Sequence, residues 1–426
     1  MKHRPHSRFA PGAGLLLLLA AASAAAQQPL TWQQVKTRFE AGNPALRADA
    51  LSVDETRAEE ITAYLRPNPQ FTVTADGNQI APNNGVWQPF AGTYVVPTLS
   101  YLHERDHKRE LRLKDAQEAT RIAEAGHADL TRNLEFTLRQ AFVNTLQAKA
   151  VLELAKTDIA DYDHIIAISR DRFKAGDIAQ IDLDRIELLR VQYEVEIQTA
   201  TVNLRTAKIQ LQQLLDDRTP VEQFDVTGPF EFSDRLQTLD AVRQMALDTR
   251  PDLQAAMQTI QQAQTSHKLA IANGSTDPTF SGWYTYNSSN NNLNATQTLG
   301  ASVNIPLRIF DRNQGEKQRT LIDIGRSQAA SEAVRAQVFG DVDSSYAQVE
   351  SSLALLKPYR DQYKDQATRV RDSITYSYEH GGASLIDFLN AQSDYRTVQL
   401  AYLQLIGSYL TAAAQLNLSV GREVIP

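Results

Sequence analysis

A chain of 426 residues, 42% hydrophobic and 22% charged, has ample material for a large core and excludes intrinsic disorder. It contains no cysteine, which excludes a disulfide framework, thiolate metal sites, cysteine nucleophiles and an N-terminal lipidated Cys. The formal charge is −7, an acidic balance that argues against a nucleic-acid partner.

Residues 1–26 read as a secretory signal peptide: Lys2, Arg4 and Arg8, then the apolar run Leu15 to Leu19, then small residues ending at Ala26. The run is too short to span a membrane. Without those three leader cations the remainder carries 40 basic against 50 acidic residues. No later segment offers the ~18 consecutive apolar residues of a membrane helix, so only a closed barrel could cross a bilayer.

The remainder is written twice. Trp32 and Val35 followed by Asn43-Pro44-Ala45-Leu46 recur as Leu239 and Val242 followed by Arg250-Pro251-Asp252-Leu253. Further on, Pro69-Gln70-Phe71 matches Pro278-Thr279-Phe280, and Gly176, Ile181-Asp182 and Gln210-Leu211 match Gly381, Ile386-Asp387 and Gln415-Leu416. A first repeat over 27–225 and a second over 238–426 are expected, joined by a turn-rich linker, 226–237.

Each repeat opens on a helix of about thirty residues, Trp32 to Tyr64 and Leu239 to Ala272. Alternating strands follow, at 70–80 and 91–103 in the first repeat and at 279–287 and 296–307 in the second, with polar hairpin loops at 81–85 and 287–296. Strands of about ten residues suit a membrane barrel, but four cannot close one; three chains would supply twelve. A small soluble sheet packed on the helices satisfies the same alternation.

The long helices carry more information. From Arg105 to Phe173 the pattern is helical for nearly seventy residues, or ~100 Å. From Ile181 to Leu215 two apolar stripes run along one helix. One passes through Ile186, Tyr193, Ala200, Ala207 and Leu211, and the other through Leu188, Val195, Val202 and Ile209. A helix with two seams packs between two neighbours, as a stave does in a wall. The hairpins turn near Gly176 and at Gly381-Gly382, with Asp182 and Asp387 expected to cap the returning helices.

The duplicated helix, strand pair and long hairpin resemble the TolC-like outer-membrane efflux family over nearly the whole chain. The most specific pieces are Asn304-Ile305-Pro306-Leu307 with Phe310-Asp311-Arg312-Asn313-Gln314-Gly315, and the tip elements Arg172-Phe173-Lys174-Ala175-Gly176 and Tyr378-Glu379-His380-Gly381. The resemblance implies a mainly α fold with a membrane β-barrel: a long α-helical barrel plus four strands per chain, closing a twelve-stranded β-barrel as a homotrimer in outer-membrane lipid. It also implies a passive export channel, opened at its periplasmic tips by an adaptor protein coupled to an inner-membrane transporter. The tip turns, Arg172, Phe173, Gly176, Tyr378, Gly381 and Gly382, would then form the docking site. Pro358 departs from the family by interrupting a long helix, where it should kink the chain.

Identical acids from three chains converging on an axis would select cations, and the candidates near the tips are Asp171, Asp177, Asp372 and Glu379. No catalytic constellation, cofactor motif or metal set is expected: His103 and His107 sit four apart, but no third ligand lies nearby in sequence. The alternative is an elongated periplasmic coiled-coil scaffold whose strands form a soluble cap.

Overall fold

A computed structural model describes residues 28–287 and 296–425; the leader and most of the second hairpin loop lie outside the described residues. The first repeat opens with helices α1 (Trp32–Gly42) and α2 (Pro44–Tyr64). Strands β1 (Gln70–Asp76) and β2 (Tyr94–Leu102) follow, then helices α3 (Lys108–Ala175) and α4 (Gln180–Leu215). The second repeat runs α5 (Leu239–Thr249), α6 (Pro251–Asn273), β3 (Thr279–Asn287), β4 (Gln297–Asn304), α7 (Gln314–Pro358), α8 (Lys364–Glu379) and α9 (Leu385–Val420).

The single opening helix expected in each repeat is two helices. Asn43 and Arg250 both adopt φ −68, ψ 120, an extended conformation that the following Pro44 and Pro251 enforce, and each proline then starts a new helix at its first position. Asn43 caps α2 by accepting from the amides of Ala45 and Leu46. Arg250, only 4% exposed, instead holds Asp252 at 2.5 Å and Asp341 at 2.8 Å.

The four strands form one antiparallel sheet in the order β1-β2-β3-β4, so β1 and β4 are both edges. The strand expected over 70–80 ends at Asp76, because Gly77 turns the chain at φ +82 and lies so close to Gly92 that a Cβ there would stand 2.2 Å from the Gly92 carbonyl oxygen. Its partner begins at Tyr94, not at 91. The fourth strand ends at Asn304, two residues before Pro306, which has no amide to donate to a ladder.

Helix α3 is 68 residues long, ~100 Å at the usual rise, and packs against α2, α4, α6 and α9. Three buried clusters run along the rods. Val35, Phe39, Leu138, Phe142 and Phe224 fill the first repeat. Val242, Ala246, Val342, Leu356, Tyr409 and Leu416 fill the second. Tyr162, Ile165, Ile186, Tyr378 and Phe388 lie between the repeats near the hairpin ends. Val35 and Val242, matched by the internal repeat, are both at most 1% exposed. At Pro358 the helix is not simply bent: α7 ends and Tyr359–Tyr363 continue as a stretch of π-helix into α8, absorbing the missing backbone donor in a wider turn.

Candidate functional site

The hairpin ends are built around a contact between repeats. At the first, Gly176 takes φ +85 and donates to the Phe173 carbonyl, closing α3. At the second, Gly381 takes φ +78. Gly382 does not need a left-handed backbone, but a Cβ there would meet Ser377 Oγ at 2.8 Å. Arg172 reaches across from the first turn: its Nη1 donates to the Tyr378 carbonyl at 2.7 Å and its guanidinium lies 5.0 Å from the Tyr378 ring centroid. Tyr378 is 2% exposed and stacks on Phe388 at 5.0 Å, so it supports the turn from inside, whereas Phe173 at 37% faces outward.

The four acidic residues near the tips divide into pairs. Asp171 bonds Lys174 at 2.9 Å, and Asp372 bonds Arg371 at 2.7 Å. Asp177 and Glu379 make no ion pair among the described residues. Asp387 closes a capping box with Ser384. Asp182, in contrast with the expectation, caps nothing: α4 begins after Ala179, which has no side-chain cap, and Asp182 contributes only its charge to the first turn.

Sequence reasoning missed a further acid above the tips. Asp158 faces a cavity between α3, α4 and α9, and burial pushes its carboxyl up to about 6; Arg396 opposes the shift, Asp161 and Glu196 add to it, and Arg371 opposes it again. Arg396 also pairs with Glu196 at 3.0 Å, joining α9 to α4.

At the other end of the rods, the sheet has two unlike faces. Cross-strand rows Phe71–Leu99–Gly282–Ala301 and Ala75–Val95–Tyr286–Gln297 belong to one face. Rows Gln70–Ser100–Ser281–Ser302 and Thr72–Thr98–Trp283–Gly300 belong to the other. The first face leaves Phe71 68%, Val73 58%, Leu99 57% and Leu299 86% exposed. Apart from Asp76, the four strands hold no Asp, Glu, Lys or Arg.

Charge returns abruptly where strands meet helices. Lys108, 3% exposed, bonds Asp277 at 2.6 Å, and Arg112 bonds Glu104 at 2.5 Å. His103 packs edge-on against Phe280, while His107 faces Glu110 at 4.0 Å. The two histidines therefore serve separate contacts.

Residues 242–422 match the outer membrane efflux protein family. The chain is 24% identical over 405 residues to the cobalt-zinc-cadmium resistance protein CzcC of Cupriavidus metallidurans, covering 92% of this chain and 90% of that protein. Among solved structures, CusC superposes with a TM-score of 0.75 at 17% identity, covering 92% of each chain. VceC, an outer membrane protein of Vibrio cholerae, superposes with a TM-score of 0.73 at 15% identity, over 92% of this chain and 97% of its own. Residues 242–422 are thus similar to the outer membrane efflux protein family, and over its described length the chain shares the fold of these solved outer-membrane channels.

Proposed function

We propose that this protein is the passive outer-membrane duct of a tripartite efflux system, assembled as a homotrimer. The observation that carries the reading is the sheet: four strands whose one charge is Asp76 at the end of β1, with two open edges and one exposed apolar face. Nothing in water explains such a surface, and open edges are not tolerated in lipid, so closure requires further copies. Three copies give twelve strands, with the Phe71–Leu99 face toward lipid and the Thr72–Thr98 face toward a polar lumen. At ~3.4 Å per residue and a tilt of roughly 40°, the nine-residue β2 and β3 cover about the ~25 Å apolar band of such barrels.

The long hairpins would continue the lumen into the periplasm as an α-barrel. Their tips, with exposed Phe173 and the left-handed turns at Gly176 and Gly381, would receive a periplasmic adaptor bound to an inner-membrane transporter. Asp177 and Glu379, without ion pairs among the described residues, are the better candidates for an acidic ring, and Asp171 and Asp372 the weaker ones. The duct itself takes no energy from nucleotide or metal. CzcC is named for resistance to cobalt, zinc and cadmium, which makes metal cations the first cargo to test.

The test is extraction from outer membranes followed by gel migration before and after heating, with bilayer conductance on the same material. A heat-dissociable trimer with discrete conductance supports the duct. A soluble monomeric rod in the periplasmic fraction would return the protein to the scaffold reading.

A further inference from the structure

Two cavities meet beside α1, where the repeats join. One, of about 450 Å³, lies among α1, α3 and the end of α9 and is lined by the cations Lys36, Arg132, Arg139 and Arg422 against the carboxylates Glu135 and Glu423. The other, of about 500 Å³, is mostly apolar, with Phe142, Leu146, Phe232 and Tyr409 in its wall beside the carboxylate Glu231. Trp32, Arg139 and Glu423 line both, so the charged and the apolar space adjoin at these three side chains.

The cations are unequally satisfied. Lys36 bonds Glu135 at 2.9 Å. Arg132 gives Nη1 to the Leu418 carbonyl at 2.6 Å and Nη2 to Asp129 at 2.5 Å, but its buried Nε has no partner. Arg139 makes no hydrogen bond or ion pair among the described residues: its guanidinium lies 4.5 Å from the Trp32 ring centroid, and burial lowers its pKa, with only the charge of Glu423 opposing. A guanidinium offers five donors in a fork shaped for an oxyanion, and this half-buried one gives none of them to the described residues.

We propose that this double cavity binds a small amphipathic monoanion, its carboxylate or sulfonate on Arg139 and its apolar body between Phe142 and Tyr409. Trp32 stacks on the outer face of Arg139 and holds the fork in place. Glu423 competes with the ligand for Arg139, so the site is strongest when that carboxylate is removed. The site is made within one chain and does not depend on the duct proposal.

The probe is 1-naphthoate, titrated calorimetrically into the full-length protein in phosphatidylcholine nanodiscs, with uncharged 1-naphthamide as the control for partition into lipid. Binding of about one naphthoate per chain, about tenfold tighter than the amide, is expected. Arg139→Gln should weaken naphthoate by about tenfold and Glu423→Gln should tighten it, opposite shifts that a general loss of structure cannot produce. Thermal melting and oligomer mobility are recorded for each variant, so a misfolded variant or a failed trimer is seen separately. Equal affinity for acid and amide, no binding to the wild type, or an unchanged affinity in Glu423→Gln would overturn the proposal.

Discussion

Arg172 in the first hairpin grips Tyr378 in the second, donating to its carbonyl at 2.7 Å while lying against its ring at 5.0 Å. Ser169 adds a hydroxyl contact to the Tyr378 phenol at 3.3 Å, so two side chains of the first repeat meet at one tyrosine of the second. A charged donor to a half-buried carbonyl contributes about 1.5–3 kcal/mol. Arg172→Ala should therefore loosen both turns together. Faster hydrogen exchange in residues 376–384 as well as 169–178, with quicker tryptic cleavage after exposed Lys174, is the expected result. A change confined to the first turn would mean that the repeats are not coupled there.

Asp158 predicts a pH dependence of opposite sense to that of an ordinary ion-paired acid. Its carboxyl sits at about 6 in the fold against an ordinary 3.8, because burial favours the neutral form. Between about pH 4 and 6 the folded chain holds a proton that the unfolded chain has released. Its contribution to stability therefore falls as pH rises through that window and stays low above it. The facing groups are Asp161 on α3, Glu196 on α4, Arg371 on α8 and Arg396 on α9. Asp158→Asn should raise the melting temperature at pH 7.5 and leave it nearly unchanged at pH 4. Equal shifts at both pH values would refute the assignment to this carboxyl.

Much of the molecule was legible from periodicity and from two residue types. Glycine marked the tip turns because they need φ near +80, and Gly176 and Gly381 adopt it. Proline at 44 and 251 carried the break in each opening helix, a local signal that the apolar periodicity running through Trp32 to Tyr64 overrode in the sequence reading. The acids at 171 and 372 stood beside their own cations, three and one residue away, so their pairing was also readable. Asp158 and the Arg132–Arg139 cavity were not. Each takes a neighbour from α9, more than two hundred residues away in sequence, and only the packing of α9 on α3 brings Arg396 toward one and Leu418 onto the other.

Within the sheet, Trp283 covers Gly300 across the β3–β4 pair, and a Cβ at Gly300 would stand 2.4 Å from Trp283 Cε2. The indole belongs to the hydroxyl-rich face and fills the space that a side chain on β4 would otherwise take. Gly300→Ala should force the ring off its rotamer, at about 1–3 kcal/mol per chain. The expected readout is a lower dissociation temperature of the heat-modifiable species. Trp283→Ser should restore most of the loss in the double variant, and a simple sum of two losses would show that the residues are not coupled.

Helix α4 carries one apolar seam buried within the protomer and a second left open. Ile186, Ala200, Ala207 and Leu211 are buried in the protomer, none more than 7% exposed. The second seam, spaced by seven, stays open: Leu188 71%, Val195 59%, Val202 60% and Ile209 49%. An apolar heptad left in water on a rod this long is the surface that a neighbouring copy would cover. Leu188→Glu with Val195→Glu should then prevent assembly, because each acid would be desolvated without a partner in all three copies. Helical content should be preserved, since neither side chain contributes to the protomer core. Far-ultraviolet circular dichroism and native-gel mobility measure the two quantities separately. Ile186→Glu should do the reverse and collapse the protomer's own packing first. If the double variant still assembles with unchanged thermal stability, the second seam does not lie between chains and the trimer must close through other surfaces.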